Sequence, residues 1–234
     1  MIKLLDEILL SENAVDKFKE NYETNDQFKN WILKILPEVE DCKNLEQDNP
    51  WHIYNCLDHI LHSVENINEL NLDENEDKNA RRLLAYTMFL HDIGKPQCKI
   101  RRYSKAYKRE VDSFFNHNIA GVKIADRVLP SFNFTKEEIE IIKKLIEKHD
   151  IFMFITLQDD GNTHHKTLSK KVILDEINEL NTLGDGSKLM KYLIRIGYAD
   201  SLSQNPEMTM DALRLLGVMN TMLDDMVNTT NFNS

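Results

Sequence analysis

An all-α fold is what this 234-residue sequence predicts, and three observations predict it. Seven Gly and five Pro leave long stretches free of helix breakers. Apolar residues recur at spacings of three and four almost throughout. No internal repeat, low-complexity run or Pro/Ser-rich linker divides the chain. One domain is therefore expected over 1–234: N-terminal helices over 1–50, a core over 51–206, and a C-terminal helix and tail over 207–234.

The elements follow in order. Leu4, Leu5, Ile8 and Leu9 share a face of a first helix. Phe28, Trp31, Ile32 and Ile35 mark a second, which stops before Pro37 because the residue preceding a proline avoids the helical region. Ile53, Leu57, Ile60, Leu61, Val64 and Ile67 mark a third. A fourth spans about 78–92, and a fifth about 112–129, with Ala120, Gly121 and Ala125 small enough for a neighbour to approach. Thr135 and Glu138 form a capping box that opens a sixth, running to about His149. Further helices are expected near 169–180, 187–201 and 207–227. The segment "IFMFITL" (151–157) suits a short strand or more buried helix equally.

Composition narrows the function classes. No apolar run reaches the length of a membrane span. Acids inside the apolar pattern of "MIKLLDEILLSEN" argue against a cleaved secretory signal. Cys42, Cys56 and Cys98 make no CxxC pair, which suits a reducing cytoplasm better than a secreted scaffold. A net charge of −10 makes generic nucleic-acid binding a poor expectation. The basic run "KIRRYSKAYKR" (99–109) is the local exception, and its plain reading is a solvated hairpin or loop.

Chemistry concentrates at "YTMFLHDIGKP" (86–96), where an apolar helix ends in His91 and Asp92, with Gly94 placed to cap it left-handedly and Pro96 to stop it. Adjacent helical residues point about 100° apart, yet both reach an ion just off the final turn, where the helix dipole favours a cation. A histidine satisfied by a carbonyl beside an exposed aspartate is the alternative. A second such pair, His149–Asp150, is what chance provides in an Asp-rich chain. Asp200 lies on the face of Leu193, Ile196 and Gly197, so its carboxylate needs a cationic partner: a metal, or Arg195 or Arg82. His52, Asn55, Cys56, His59, Ser63 and Asn66 form a stripe that reads as a cavity lining or a mildly polar surface, with His62 at its edge. His117 opens the Gly/Ala-marked part of the fifth helix. His149 sits in the last turn of the sixth, where the dipole alone would suit it. His164 and His165 read as loop residues.

The order His59, His91-Asp92, Asp200 resembles the HD-domain superfamily of metal-dependent phosphohydrolases. It is most similar to the HD domain of bacterial tRNA nucleotidyltransferases (CCA-adding enzymes), through "ILPEVE…NPWHIYNCLDH", "FLHDIGKP", "FFNHNIAGVKIADRVL", "KKLIEKHD" and "GYADSLSQNP", over about residues 30–206. The resemblance implies a bundle of eight to nine helices, with His59, His91, Asp92 and Asp200 as ligands of a divalent metal and His117 and His149 completing a second site. Two features depart from the pattern. The usual Gly-Ala is Gly121-Val122, and the basic run replaces a short acidic, Gly-containing turn. The nucleotidyltransferase head is not in this sequence, so the hydrolytic module without CCA addition is the expectation.

Two imidazoles and two carboxylates suit Mn, Fe, Co, Ni or Zn, in one or two ions, better than Mg. Asp92, Lys95 and His117 are the expected catalytic residues, and His52, Lys95 and His149 the expected substrate contacts, with Lys95 alternatively only neutralising its helix end. The expected reaction is phosphomonoester or phosphodiester hydrolysis on a nucleotide, a cyclic phosphate or an RNA 3′ end. A non-catalytic nucleotide sensor and a di-iron oxygenase are the rival classes.

Overall fold

The computed structural model describes residues 1–70 and 78–231. Four short helices come first: α1 (Ile2–Leu9), α2 (Ala14–Thr24), α3 (Asp26–Ile35) and α4 (Glu38–Lys43). The centre is built from α5 (Cys56–Glu69), α6 (Lys78–Leu90) and α7 (Lys95–Cys98). The antiparallel hairpin β1 (Ile100–Ser104) and β2 (Arg109–Ser113) follows, then α8 (His117–Val128) and α9 (Lys136–Lys148). The chain continues through α10 (Lys170–Leu180), α11 (Gly186–Leu202) and α12 (Pro206–Asn231). The all-α expectation holds.

The helix α6 is the axis. Every residue from Leu83 to Leu90 is buried, because a helix apolar on all sides must be surrounded. It packs against α5, α9, α1 and α11. The N-terminal helices lock onto it through Phe18, whose ring centroid lies 5.7 Å from both Phe28 and Phe89. Each such buried ring contributes about 1.5–3 kcal/mol. Asp6 adds a polar tie, accepting from Arg82 Nε at 2.9 Å and Tyr86 OH at 2.8 Å.

Several expectations are corrected. The described residues hold twelve α-helices rather than eight to nine; α2, α4 and α7 are the additions. In α2 the apolar stripe Val15, Phe18, Tyr22 is thin and crowded by charges, so periodicity is weak there. Ile53 lies outside α5, which starts at Cys56 under the Asn55 cap. Residue 112 belongs to β2, not to a helix. The 151–157 segment is a 3₁₀ turn (Ile151–Phe154) followed by β3 (Ile155–Thr156), paired in parallel with β4 (Lys166–Thr167). Gly94 is not a left-handed cap: its φ of −83° is helical. Glycine is needed there for space, since a Cβ would sit 2.3 Å from the His117 carbonyl oxygen and 2.6 Å from Gly121 N. Pro96 starts α7 as much as it ends α6. The Thr135–Glu138 capping box is present. No helix among the described residues is long and apolar enough to cross a membrane. The end of the expected C-terminal tail, 232–234, lies outside the described residues.

Candidate metal centre

Five elements deliver the candidate side chains to one place. His59 sits in the first turn of α5, and His91 and Asp92 occupy the tight turn that ends α6. His117 opens α8, behind Asn116 in the left-handed conformation (φ 63°). His149 and Asp150 close α9, and Asp200 lies in the last turn of α11. Of the expected stripe, His59, Ser63 and Asn66 face the end of α11, with Ser63 Oγ 2.6 Å from Ser203 Oγ and Asn66 Nδ2 donating to Ala199 O, whereas His52 and Asn55 precede the helix and Cys56 Sγ turns to Asp92 O.

Each imidazole is held by one nitrogen and presents the other. Nδ1 donates to a carbonyl three residues back in His91 (Met88 O, 2.6 Å), His117 (Phe114 O, 2.7 Å) and His149 (Ile146 O, 2.6 Å). In His59 the acceptor is Ser203 Oγ at 3.0 Å, whose own proton goes to Asp200 O. Such bonds fix the tautomer, so that Nε2 carries a bare lone pair in the neutral ring. These Nε2 atoms face one another in two pairs: His59 to His91 at 3.4 Å, and His117 to His149 at 3.1 Å. Two lone pairs at that separation repel unless a proton or a metal lies between them. The donor chemistry therefore fits a cation at each pair.

Asp92 joins the pairs. Its Oδ2 lies 3.0 Å from His59 Nε2 and 3.3 Å from His91 Nε2, while its Oδ1 lies 3.1 Å from His117 Nε2 and 3.8 Å from His149 Nε2. Asp200 Oδ1 completes the first set, 3.0 Å from His59 and 3.6 Å from His91. The donor atoms of His59, His91, Asp92 and Asp200, and those of Asp92, His117 and His149, lie within 4.8 Å of one another, a geometry able to hold a metal ion. Three carboxylates against one ammonium leave the cluster two formal charges negative when its histidines are neutral.

The electrostatics tell the same story. Burial opposes ionisation of Asp92, yet Lys95 and His91 overcome it and hold the carboxyl well below its usual range. Burial also opposes charge on His91, and Asp92 and Asp200 override it, pushing the imidazole up to about 10. His117 is likewise desolvated, and its bonds to Asp150 and Asp92 push it up to about 10. Asp200 stays well below its usual range against burial, through His59 and His91. In each case nearby opposite charge outweighs desolvation. The cluster is built to keep a cation.

Lys95 is buried and fully engaged. Its Nζ lies 2.5 Å from Asp92 Oδ2 and donates to Gln47 Oε1 at 2.9 Å and to His52 Nε2 at 3.0 Å. The His52 Nδ1 donates to Asn49 Oδ1 at 2.8 Å, which leaves Nε2 as acceptor for Lys95. His62 instead stacks on Tyr54, and His165 pairs with Asp160 in its loop. Arg82 pairs with Asp6 rather than with Asp200.

Asp150 is what the sequence reading passed over as accidental. Its Oδ2 lies 3.1 Å from His117 Nε2, and its Oδ1 3.3 Å from His149 Nε2. The available signal was positional: like His91–Asp92, His149–Asp150 ends a helix whose apolar face is buried. Gln47, Asn49, Ser203 and Gln204 were also missed. Only folding brings Ser203 to His59, whereas Gln204 Nε2 reaches Asp200 Oδ1 (3.1 Å) across four residues, a spacing that the sequence displays.

An all-α bundle with a buried His/Asp group able to hold a metal defines the class. The HD domain pattern matches residues 56–203, well over half of the sequence, and the chain belongs to the HD domain family, within the superfamily of metal-dependent phosphohydrolases. A bifunctional uridylyltransferase/uridylyl-removing enzyme of Rhodopseudomonas palustris is 24% identical over 194 residues, which cover 77% of this chain and 18% of that protein. One of the same name from Cereibacter sphaeroides is 28% identical over 126 residues, 49% of this chain and 12% of that protein. The chain thus spans less than a fifth of the length of these relatives.

Proposed function

We propose that the protein is a metal-dependent phosphohydrolase that cleaves a phosphomonoester or phosphodiester of a nucleotide, cyclic phosphate or RNA end. The observation that carries this reading is the pair of facing Nε2–Nε2 contacts on either side of one carboxylate, Asp92. In this reading His59, His91, Asp92 and Asp200 hold one divalent transition metal, and Asp92, His117, His149 and Asp150 hold a second. Imidazole nitrogens favour Mn, Fe, Co, Ni or Zn over Mg. Ions so bound supply Lewis acidity toward phosphoryl oxygens and a more acidic water.

The chain's own residues do the rest. Asp92 fixes the spacing of the two sets, while the Nδ1 tethers keep each imidazole aimed and raise its basicity. Lys95 neutralises Asp92 and orients His52, so a phosphate that reached it would displace His52 or Gln47. The open side is marked by Asp150, Asp200 and His117, whose side chains keep 24%, 15% and 12% exposure while the others keep 3% or less. Substrate would enter there, and with a single ion bound in the His59–His91 group the protonated His117 Nε2 would be free to hold a phosphoryl oxygen or deliver a proton to the leaving group, a role it gives up when it ligates a second ion. The relatives remove a uridylyl group by name, which is scission at a nucleotidyl phosphate and agrees with the diesterase half of this reading.

The test is turnover of bis(p-nitrophenyl) phosphate and a nucleotide panel after loading with Mn, Co, Ni or Zn. Metal-dependent hydrolysis is expected. Tight nucleotide binding with no turnover on any ester would make the protein a sensor, and oxygen consumption on a non-phosphorylated substrate would make it an oxygenase.

A further inference from the structure

The hairpin β1–β2 is the most basic stretch of an acidic chain, and its six cations divide into two kinds. Lys99, Arg101 and Arg109 are anchors. Arg101 Nη1 reaches Asp48 at 2.7 Å and Asp112 at 3.1 Å, Arg109 takes the other Asp48 oxygen at 2.7 Å, and Lys99 takes Asp112 at 3.0 Å. Asp112 is itself buried and bonded to the Asp48 backbone in both directions, so this half of the charge fastens the hairpin to the loop after α4.

Arg102, Lys105 and Lys108 are different. All three are exposed, and none has a carboxylate in salt-bridge reach among the described residues. They are interleaved with rings that ordinarily would be covered: Tyr103 is 59% exposed, Phe115 57% and Tyr107 39%. The Arg102 guanidinium already lies over Phe115, 4.9 Å from the ring centroid. The Arg102 Nε also donates to Ser113 Oγ at 2.6 Å, which holds the side chain without neutralising it; exposed rings among cations that have no carboxylate partner match what a single strand offers, bases to stack and phosphates to neutralise. An acidic protein surface would use the cations but leave the rings unexplained.

Placement ties this surface to the metal centre. Helix α7, which starts at Lys95, leads into β1. Strand β2 leads through Phe114 and Phe115 to His117. Both feet of the hairpin therefore stand on residues of the candidate site, and Lys95 Nζ lies 5.4 Å from the Phe114 ring.

We infer that the hairpin is a single-strand-binding arm, in which Arg102, Lys105 and Lys108 neutralise phosphates and Phe115 and the two tyrosines stack bases, so that the strand's end lies at the metal centre. It rests on the hydrolytic reading and narrows its substrate class from nucleotides in general to an RNA end. A net charge of −10 makes the arm, rather than the whole surface, responsible for any such affinity.

The test is fluorescence anisotropy of the full chain in chelator with a labelled single-stranded RNA of about a dozen nucleotides, long enough to span such a site. Three neutralised phosphates predict a slope of about −2 in log affinity against log salt. The triple variant Arg102→Gln, Lys105→Gln, Lys108→Asn is expected to weaken binding at least about tenfold and flatten that slope. Asn is chosen at 108 because that residue has φ 51°, which asparagine tolerates. Phe115→Ala is expected to cost about tenfold, and an abasic strand of the same length, which loses the stacks on all three rings, at least about 100-fold. Hydrolysis of bis(p-nitrophenyl) phosphate by the metal-loaded triple variant should match that of the unaltered protein. Equal RNA binding by the triple variant and the unaltered protein would overturn the inference, as would polyglutamate binding as tightly as RNA, the mark of an acidic protein partner. Because binding is measured in chelator, it stands or falls separately from turnover: loss of all hydrolysis with RNA binding intact would sink the hydrolytic reading, not the arm.

Discussion

The His59–His91 pair and the His117–His149 pair are built from the same parts and sealed to different degrees. In the inner pair both rings are at most 1% exposed, and their ligand partners come from α5, the end of α6 and α11, elements packed against one another in the core. In the outer pair the His117 side chain is 12% exposed and Asp150 24%, and the donors come from the start of α8 and the end of α9, beside the hairpin and the 3₁₀ turn. The difference lies in the imidazoles: Asp200 brings the inner group to the open side as well, at 15% exposure, so in the proposed reading the inner cation would be held by two buried rings and the outer one by a pair of which His117 meets water.

Removing what the two groups share should have the largest effect. Asp92→Ala is expected to strip both metals and lower hydrolysis on the order of 10³-fold, because it deletes a ligand of each set and leaves Lys95 buried without its carboxylate. Elemental analysis and turnover check it together; full activity with full metal content would end the account. Gly94→Ala comes next. Its Cβ would drive the His117 carbonyl away from the HD turn, so destabilisation of about 1–3 kcal/mol is expected in a urea melt, with the outer metal lost before the inner.

Ser203→Ala sharpens the contrast from the other side. It removes the hydroxyl acceptor of the His59 Nδ1 proton together with that hydroxyl's contacts to Ser63 and Asp200 O, and leaves Nδ1 only the longer reach to Ser203 O (3.3 Å), so inner-group affinity should fall about tenfold while the outer group is unchanged in a competition titration with a chromogenic chelator. The smallest effect is a pH dependence. In the cation-free cluster His91 and His117 titrate at about 10, raised values that leave both rings protonated at pH 7. Metal must displace those protons, so binding is expected to acidify an unbuffered solution and to tighten between pH 6 and 8. Titration calorimetry in buffers of differing ionisation enthalpy measures the release; metal uptake without protons would contradict it.

The two groups were also unequally legible in the sequence. The inner one was readable because an apolar helix ending in His-Asp, and a carboxylate on the apolar face of α11, are anomalies that local pattern exposes. The class of fold was readable from periodicity for the same reason. Asp150 was not, since a His-Asp pair in an Asp-rich chain carries no weight until α9 is packed beside α8. Gln47 and Ser203 are ordinary loop and helix-end residues whose roles exist only across long separations, Gln47 to Lys95 and Ser203 to His59, while Asn49 acts locally on His52, whose own place beside Lys95 only folding sets. Gly94 was read as a conformational device when it is a spatial one, because sequence displays backbone preference but not the neighbour that a Cβ would strike.

Anomalous diffraction from crystals loaded with manganese or zinc is the most direct test of the bridged arrangement. Two peaks are expected, one beside the His59 and His91 Nε2 atoms and one beside those of His117 and His149, with an Asp92 oxygen reaching each. A single peak, or none within coordinating distance of Asp92, would contradict the shared-carboxylate centre.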